Sequence, residues 1–371
     1  MRIGVNLGYW GRGVTGADQV ALAREADRLG YDSVWVAEAY GSDSPSVLAW
    51  IGAVTERIGL GSAVMQIPGR TPAMTAMTAA TIDTLSGGRF RLGLGVSGPQ
   101  VSEGWHGVPF KSPLGRTREY VEIVRAALRR DTVSSPGPHY PLPLPGGPGK
   151  PLRLSARTVR PDVPVYLAAV GPKNLELTGE IADGWLAIFF SPDHARDLLA
   201  TIERGRRTAE QRAAGAAEPA AQAAPAMATP VMSGFDVVAT TPVVLVDDVE
   251  EAASHVRDYC ALYIGGMGSR EQNFYNQLAC RMGFERDAER IQDLYLAGRP
   301  REAAAAVPLE FIDETALLGS PRRVAQRLRR YEDAGVTTLS IATGGGMTRE
   351  QALATIGAVA QIADIGPEVP R

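Results

Sequence analysis

Leu60-Gly-Ser-Ala-Val-Met-Gln-Ile-Pro-Gly-Arg-Thr-Pro72 carries an apolar strand straight into a polar loop bounded by proline. Small Gly61, Ser62 and Ala63 let the backbone approach a flat ligand, while Pro68 and Pro72 each lock φ along the exit path. Alone, the stretch reads equally well as an ordinary strand followed by a helix with Pro72 in its first turn. Its neighbours decide between these readings. Upstream, Arg2-Ile-Gly-Val-Asn-Leu7 reads as a buried strand, and Val20, Leu22, Ala23, Ala26 and Leu29 follow at helical spacing until Gly30 stops them. Asp32-Ser-Val-Trp-Val-Ala37 is the next strand, then a helix over 45–55, the quoted strand over 59–64, a helix over 72–86, and Arg89-Phe-Arg-Leu-Gly-Leu-Gly95. Such alternation means parallel strands joined by right-handed crossovers.

Further strands are predicted over 163–169, 184–188, 235–245 and 337–342, with helices over 172–182, 192–213, 247–263, 319–334 and 348–363. Strands alternating with helices in this number predict an α/β fold, a (β/α)8 TIM barrel formed by residues 1–371 as one domain. Two insertions break the rhythm. After strand four, residues 131–163 are too rich in Pro and Gly for regular structure and are of the length that lids and binding loops take. Between strands seven and eight, residues 264–318 hold extra helices near 273–282 and 288–296, placed to cover the barrel mouth or to meet another subunit. The Ala-rich run 213–228 reads as a helix end and loop without function.

Composition narrows the function. With 371 residues, 45% of them hydrophobic, and a net charge of −3, the chain can bury a large core and carries no electrostatic footprint for nucleic acid. Met1 to Trp10 is too short and polar for a secretory signal, and no apolar run approaches the ~20 residues of a membrane span. The expected setting is the cytoplasm, with a small-molecule substrate and no nucleic-acid or membrane partner. Cys260 and Cys280 lack metal spacing and read as buried thiols, and the scattered His106, His139, His194 and His255 suggest no metal site.

Ligands of such barrels bind at the C-terminal ends of the strands, so the residues just after each strand are the candidates. Strand two delivers Glu38 beside Tyr40, and strand three delivers Ala63, Val64 and Gln66. Strand four delivers Ser97, Gly98, Pro99, Gln100 and Glu103, with Trp105 and His106 beyond. Strand five delivers Ala168, Ala169, Val170 and Gly171, a tight turn into a helix N-terminus of the kind that attracts phosphate. The same turn also serves geometry alone in most barrels.

Val34-Trp-Val-Ala-Glu-Ala-Tyr40, Leu60-Gly-Ser-Ala-Val64 with Arg70-Thr-Pro72, Leu85-Ser-Gly-Gly-Arg-Phe-Arg-Leu-Gly-Leu-Gly95, Pro164-Val-Tyr-Leu-Ala-Ala-Val-Gly171, Gly179-Glu-Ile-Ala-Asp-Gly184 and Gly319-Ser-Pro321 span nearly the whole chain. Together they resemble the bacterial luciferase-like superfamily, and within it the branch that uses the deazaflavin coenzyme F420, which includes methylene-tetrahydromethanopterin reductase and glucose-6-phosphate dehydrogenase. The resemblance implies a homodimer and a cis peptide at Ala63-Val64, forming a bulge behind the deazaflavin ring. It also implies coenzyme contacts from Glu38, Gln66, Ser97, Gly98, Pro99, Gln100 and Glu103, and a phosphate-side turn at Ala168 to Gly171.

Departures from the pattern matter too. The sugar-phosphate dehydrogenases carry His directly after their acidic residue, where this chain has Ala39, and Phe189-Phe-Ser-Pro192 stands where a phosphate-binding Lys is expected. An apolar mouth and a hydrophobic or aromatic substrate are therefore expected, not a sugar phosphate. The implied chemistry is hydride transfer between the deazaflavin C5 and an electron-poor C=N, C=C or C=O. Glu38 is the candidate catalytic residue, as proton donor or ring-orienting group, with His106 as a second acid. The rival readings are a monooxygenase that uses flavin mononucleotide (FMN), and a non-catalytic protein that binds either cofactor.

Overall fold

The apolar runs become eight parallel strands: β1 (Arg2–Asn6), β2 (Ser33–Val36), β3 (Gly59–Ser62), β4 (Phe90–Gly95), β5 (Val165–Ala168), β6 (Gly184–Ile188), β7 (Asp236–Val244) and β8 (Thr338–Thr343). The structure is a computed structural model that describes residues 1–8, 15–216, 232–343 and 347–366. Each strand pairs with the next, and β8 returns to β1 from Arg2↔Thr338 to Asn6↔Ala342. The barrel is closed. Both faces of these strands are covered, which is why they read as continuous apolar runs and not as alternating ones.

In chain order the helices are α1 (Gly16–Leu29), α2 (Ser44–Ala53), α3 (Pro72–Leu85), α4 (Pro99–Gly104), α5 (Pro113–Leu128), α6 (Pro172–Ile181) and α7 (Ala195–Ala216). After these come α8 (Val249–Ala261), α9 (Phe274–Arg281), α10 (Glu285–Leu296), α11 (Pro300–Ala305), α12 (Leu309–Thr315), α13 (Pro321–Asp333) and α14 (Arg349–Ile362). Helix α1 starts in a Thr15/Asp18 capping box and stops at Gly30, whose φ is 87°. The sequence rhythm did not predict α4, α5, α11 or α12. The rest of the Ala-rich run beyond Ala216 lies outside the described residues.

The two insertions take different places. Residues 131–163 fold on themselves through the bridges Val133↔Leu152 and Ser135↔Leu142 and are pinned to the flank by the His139 and Tyr140 N–H groups, which donate to Glu119 of α5. Arg160 holds Asp83 at the end of α3, toward the N-terminal face of the barrel. The expected lid or binding loop does not line the mouth; it braces the side wall. The second insertion, α9 to α12, does cover the mouth. With α8 it builds a second apolar core around Val256, Ile264, Phe311 and Ile312.

At the opposite, N-terminal end the strand starts are tied by charge. Asp236 accepts from Tyr166 Oη at 3.1 Å, from Thr338 Oγ1 at 2.9 Å and from Thr337 Oγ1, and pairs with Arg2 at 2.8 Å. Beside it Arg91 pairs with Asp32 at 2.6 Å.

Candidate cofactor and substrate site

A cavity of about 1130 Å³ opens at the C-terminal ends of the strands. Single drug-sized ligands occupy pockets of roughly 300–1,000 Å³, so there is room for a coenzyme and a substrate together.

One wall is made by the end of β3. Pairing with β4 runs Gly61↔Arg91 and resumes at Met65↔Leu94, four steps (65 − 61) against three (94 − 91). The extra residue bulges at Ala63 and Val64, whose peptide bond is cis, as the resemblance implied. Ser62 stitches the gap: its Oγ donates to Gly93 O at 2.8 Å and accepts from Gly93 N at 2.9 Å. A Cβ on Gly93 would overlap Ser62 O, and one on Gly95 would crowd the Val64 side chain, so β4 must be bare where the bulge crosses it.

Glu38 follows β2 and is nearly buried. Its Oε1 accepts from Gln66 N at 2.9 Å and from Arg70 Nη1, and its Oε2 accepts from Ser44 N at 3.0 Å and Arg70 Nη2 at 3.1 Å. Both carboxylate oxygens are thus taken up by donors from the bulge exit, the 3-10 turn Ile67–Gly69 that leads to Arg70, and the start of α2. The Gln66 side chain extends the network, donating to Glu38 O at 3.3 Å and Ser97 Oγ at 3.4 Å, while its Oε1 meets His106 Nε2 at 2.7 Å. Ser97 is held at φ 61°, a left-handed conformation uncommon outside glycine.

Across the cavity, Ala168 to Gly171 lead into α6, whose N-cap Gly171 supplies no side chain. Lys173 and Asn174 stand on its first turn, and the Asn174 Oδ1 is buried without a hydrogen-bond partner. The carbonyls of Ala169 and Val170 are occupied by Trp185 Nε1 and Arg281 Nη2, which fixes the turn. Asn6 and Thr240 on the cavity floor share a 3.4 Å hydrogen bond. Asn6, at the last position of β1, obeys the same strand-end rule, and with Thr240 of β7 it joins the candidates.

Of the residues expected at the coenzyme, Glu38, Ala63, Val64, Gln66, Ser97, Gly98, Gln100 and Ala168 to Gly171 all line this one cavity. Pro99 and Glu103 are not among its lining residues. Pro99 begins α4, and Glu103 accepts from Phe110 N at 2.8 Å on the exposed side. His106 sits behind Gln66, and Trp105 is exposed away from the cavity. Phe189 and Phe190, expected as an apolar mouth, are both buried, Phe190 among Trp185 and Tyr331. The apolar wall comes instead from α8 and the insertion: Tyr259, Leu262, Tyr263, Met267, Phe274 and Tyr275. Among the described residues, no group of His, Cys, Asp and Glu is arranged to hold a metal, and no helix is long and apolar enough to cross a membrane.

Residues 2–338 match the family model described as luciferase-like monooxygenase. The chain is 41% identical over 349 residues to a protein of Mycobacterium tuberculosis provisionally named a coenzyme F420-dependent oxidoreductase, covering 93% of this chain and 95% of that one. It is 26% identical over 338 residues to a 5,10-methylenetetrahydromethanopterin reductase of Archaeoglobus fulgidus, covering 90% and 91%. Among solved structures, the coenzyme F420-dependent tetrahydromethanopterin reductase of Methanopyrus kandleri superposes with a TM-score of 0.78 over 97% of each chain at 23% identity, a likeness of fold. A barrel with its bulge at the end of β3, matched over residues 2–338 by the family model and over 93% of its length by a relative, places this chain in the luciferase-like monooxygenase family.

Proposed function

We propose that this protein is a coenzyme F420-dependent oxidoreductase that transfers a hydride between the deazaflavin C5 and an electron-poor C=N, C=C or C=O of a small, hydrophobic organic substrate. The observation that carries this reading is convergence: the bulge after β3, the loop after β4 and the turn after β5 meet round one cavity. The name of the full-length relative supports the choice of coenzyme.

The residues present suit such a group. Ala63 and Val64 offer a small-residue wall for a flat ring, and Gly98 and Gln100 border the same side. The α6 N-terminus, with Lys173 beside it, suits the phosphate of a tail, and the partnerless Asn174 Oδ1 suits a hydroxyl or N–H donor on it. When bound, the coenzyme supplies the hydride chemistry. The chain supplies position and exclusion of water.

Of its two expected roles, Glu38 fits the orienting one. A carboxylate whose oxygens both accept from Arg70 and from backbone N–H groups is placed to hold the 66–70 turn against the bulge, not to hand a proton to substrate. A cytoplasmic setting and a homodimer belong to the same reading. For the latter, exposed Trp50, Met74 and Met77 on α2 and α3 offer an apolar face, and sedimentation as a monomer at micromolar concentration refutes it.

Anaerobic titration with F420 and with FMN tests the assignment, followed by a panel of activated enones and cyclic imines. Tighter F420 binding with reduction of at least one acceptor is expected. Tighter FMN binding with oxygen uptake overturns it in favour of a monooxygenase, and coenzyme binding without turnover of any acceptor favours a carrier.

A further inference from the structure

Four rings from separate elements meet where the insertion closes the cavity. Tyr263 is at their centre: its ring centroid lies 4.8 Å from Tyr259, 4.8 Å from Tyr275 and 5.6 Å from Phe189, with the last two contacts edge to face. Phe189 is buried and holds a φ of 51°, which is rare for a bulky residue. The three tyrosines line the cavity.

The segment that carries Tyr263 is itself unusual. Residues Leu262–Gly266 form a π-helical turn at the end of α8, a local widening that recurs at functional sites. Gly265 and Gly266 press on Tyr295 of α10 so closely that a Cβ at either position would collide with its ring. The turn is therefore clamped from behind. The ring cluster is fixed in place before any ligand arrives, which lowers the ordering cost of binding.

Chemistry narrows what such a wall selects. Phenol rings present electron-rich faces, and stacked or edge-to-face aromatic pairs prefer centroid spacings of about 4.5–7 Å. Leu262, Met267, Phe274 and Met347 add apolar surface on this side, with His255 of α8 and Gln277 of α9 as polar neighbours, and methionine sulfur adds favourable contacts to ring edges. Asp18 and Arg349 also border the cavity, but on the α1 and α14 side, where they approach each other at 3.9 Å.

We propose that Tyr263, flanked by Tyr259 and Tyr275, is the specificity-determining platform of this enzyme, and that it selects acceptors whose reducible double bond is conjugated to a planar aromatic ring. The inference rests on the oxidoreductase reading above. Such a substrate lies with its electron-poor π system against the phenol wall and its double bond toward the Ala63-Val64 side. Its reduction takes one hydride from the reduced coenzyme and one proton from water, converting C=C to CH–CH while the coenzyme is oxidised.

The test compares benzylideneacetone with pent-3-en-2-one, the same enone carrying methyl in place of phenyl. Binding to the oxidised holoenzyme is followed by coenzyme fluorescence, and turnover is measured with reduced coenzyme. The phenyl compound should bind roughly tenfold tighter, as expected of one or two aromatic contacts. Tyr263→Ala should erase most of that preference by raising KM for the phenyl enone, while KM for the methyl enone and coenzyme Kd stay within about twofold and Tyr263→Phe keeps the preference. Should Tyr263→Ala lose its fold by circular dichroism, Tyr275→Leu on α9 takes its place. Equal affinity for the two enones, or a preference that survives both substitutions, overturns the proposal. If F420 does not bind at all, the oxidoreductase reading fails instead. Saturation-transfer NMR of the same two enones against the coenzyme-free protein then decides the platform, which stands if phenyl protons saturate and falls if they do not.

Discussion

The two ends of the barrel solve the same problem with different partners. At the N-terminal end Asp236 gathers hydroxyls from β5, from β8 and from Thr337 just before it, together with Arg2 of β1. At the C-terminal end Glu38 gathers Arg70, Gln66 and Ser44 from loops and a helix start. Both carboxylates are nearly buried and saturated with donors. One ties strands to strands, and what it secures is the barrel. The other ties loops to one another beside a cavity, and what it secures is a shape. A buried carboxylate at the mouth of a barrel is thus not by itself a catalytic acid; what matters is which atoms its oxygens already hold.

The division can be broken most sharply at Asp236. Asp236→Ala leaves Tyr166, Thr337, Thr338 and Arg2 without their acceptor and should cost about 3 kcal/mol in urea unfolding, with coenzyme Kd unchanged within twofold. Lost coenzyme binding at unchanged stability would reverse the roles of the two ends. At the other end, Glu38→Gln turns an amide N–H₂ toward Arg70 and loosens the 66–70 turn. Coenzyme Kd should weaken by about tenfold, or ~1.4 kcal/mol, with a smaller loss of global stability. A Glu38→Gln variant with normal Kd, a rate about 100-fold lower and an altered pH profile would restore the proton-donor role.

A third measurement reads pH. Burial alone would raise the Asp32 carboxyl, but the Arg91 guanidinium, helped by Arg2, outweighs it and holds Asp32 below the usual carboxylate range. Its folded value is depressed, so its contribution to stability is present above the unfolded value of about 4 and is lost as pH falls through the folded value. Arg91→Met should therefore move the acid-unfolding midpoint to higher pH; an unmoved midpoint would remove this pair from the base of the barrel. The smallest effect is expected at His106, which touches the site only through Gln66. His106→Ala should lower kcat by less than about threefold and leave its pH profile in place, whereas loss of the acidic or basic limb would promote it to a proton carrier.

The barrel was legible in the sequence because its strands are buried on both faces and six of the helices around it announce their starts with a capping side chain. Thr15, Asp43, Thr71, Asp248, Ser320 and Thr348 each accept a backbone N–H at a helix start. The four helices that the periodicity does not predict, α4, α5, α11 and α12, begin at Gly98, Ser112, Arg299 and Pro308 without any side-chain cap, and Ser112 sits at φ 48°. Three of the four offer only a proline in the first turn, Pro99, Pro113 and Pro300. That the ends of β2 to β5 line one cavity was equally legible, since strand ends are local features. The tyrosine wall was not, because Tyr259, Tyr263 and Tyr275 meet only when the insertion folds back over the mouth and Phe189 turns beneath them. Periodicity carries no trace of a π turn, and Phe189 and Phe190 look alike in sequence although Phe190 packs against Trp185 while Phe189 supports the wall.

The extra residue after β3 also works as a frameshift written into the backbone. Before it, Leu60 joins the core between barrel and helices, and the inward place of Gly61 is filled by the Trp35 ring. Strict alternation would send Met65 inward and Gln66 outward. With Ala63 and Val64 both at the interior, the parity flips: Met65 packs in the outer core and Gln66 reaches the cavity. Removing either Ala63 or Val64 would remove the bulge together with its extra residue, and plain alternation over the shortened segment would still send Met65 outward and Gln66 to the cavity. What the bulge supplies is the pair of adjacent side chains at the interior, so a deletion there changes the wall of the cavity and not the facing of the residues beyond it.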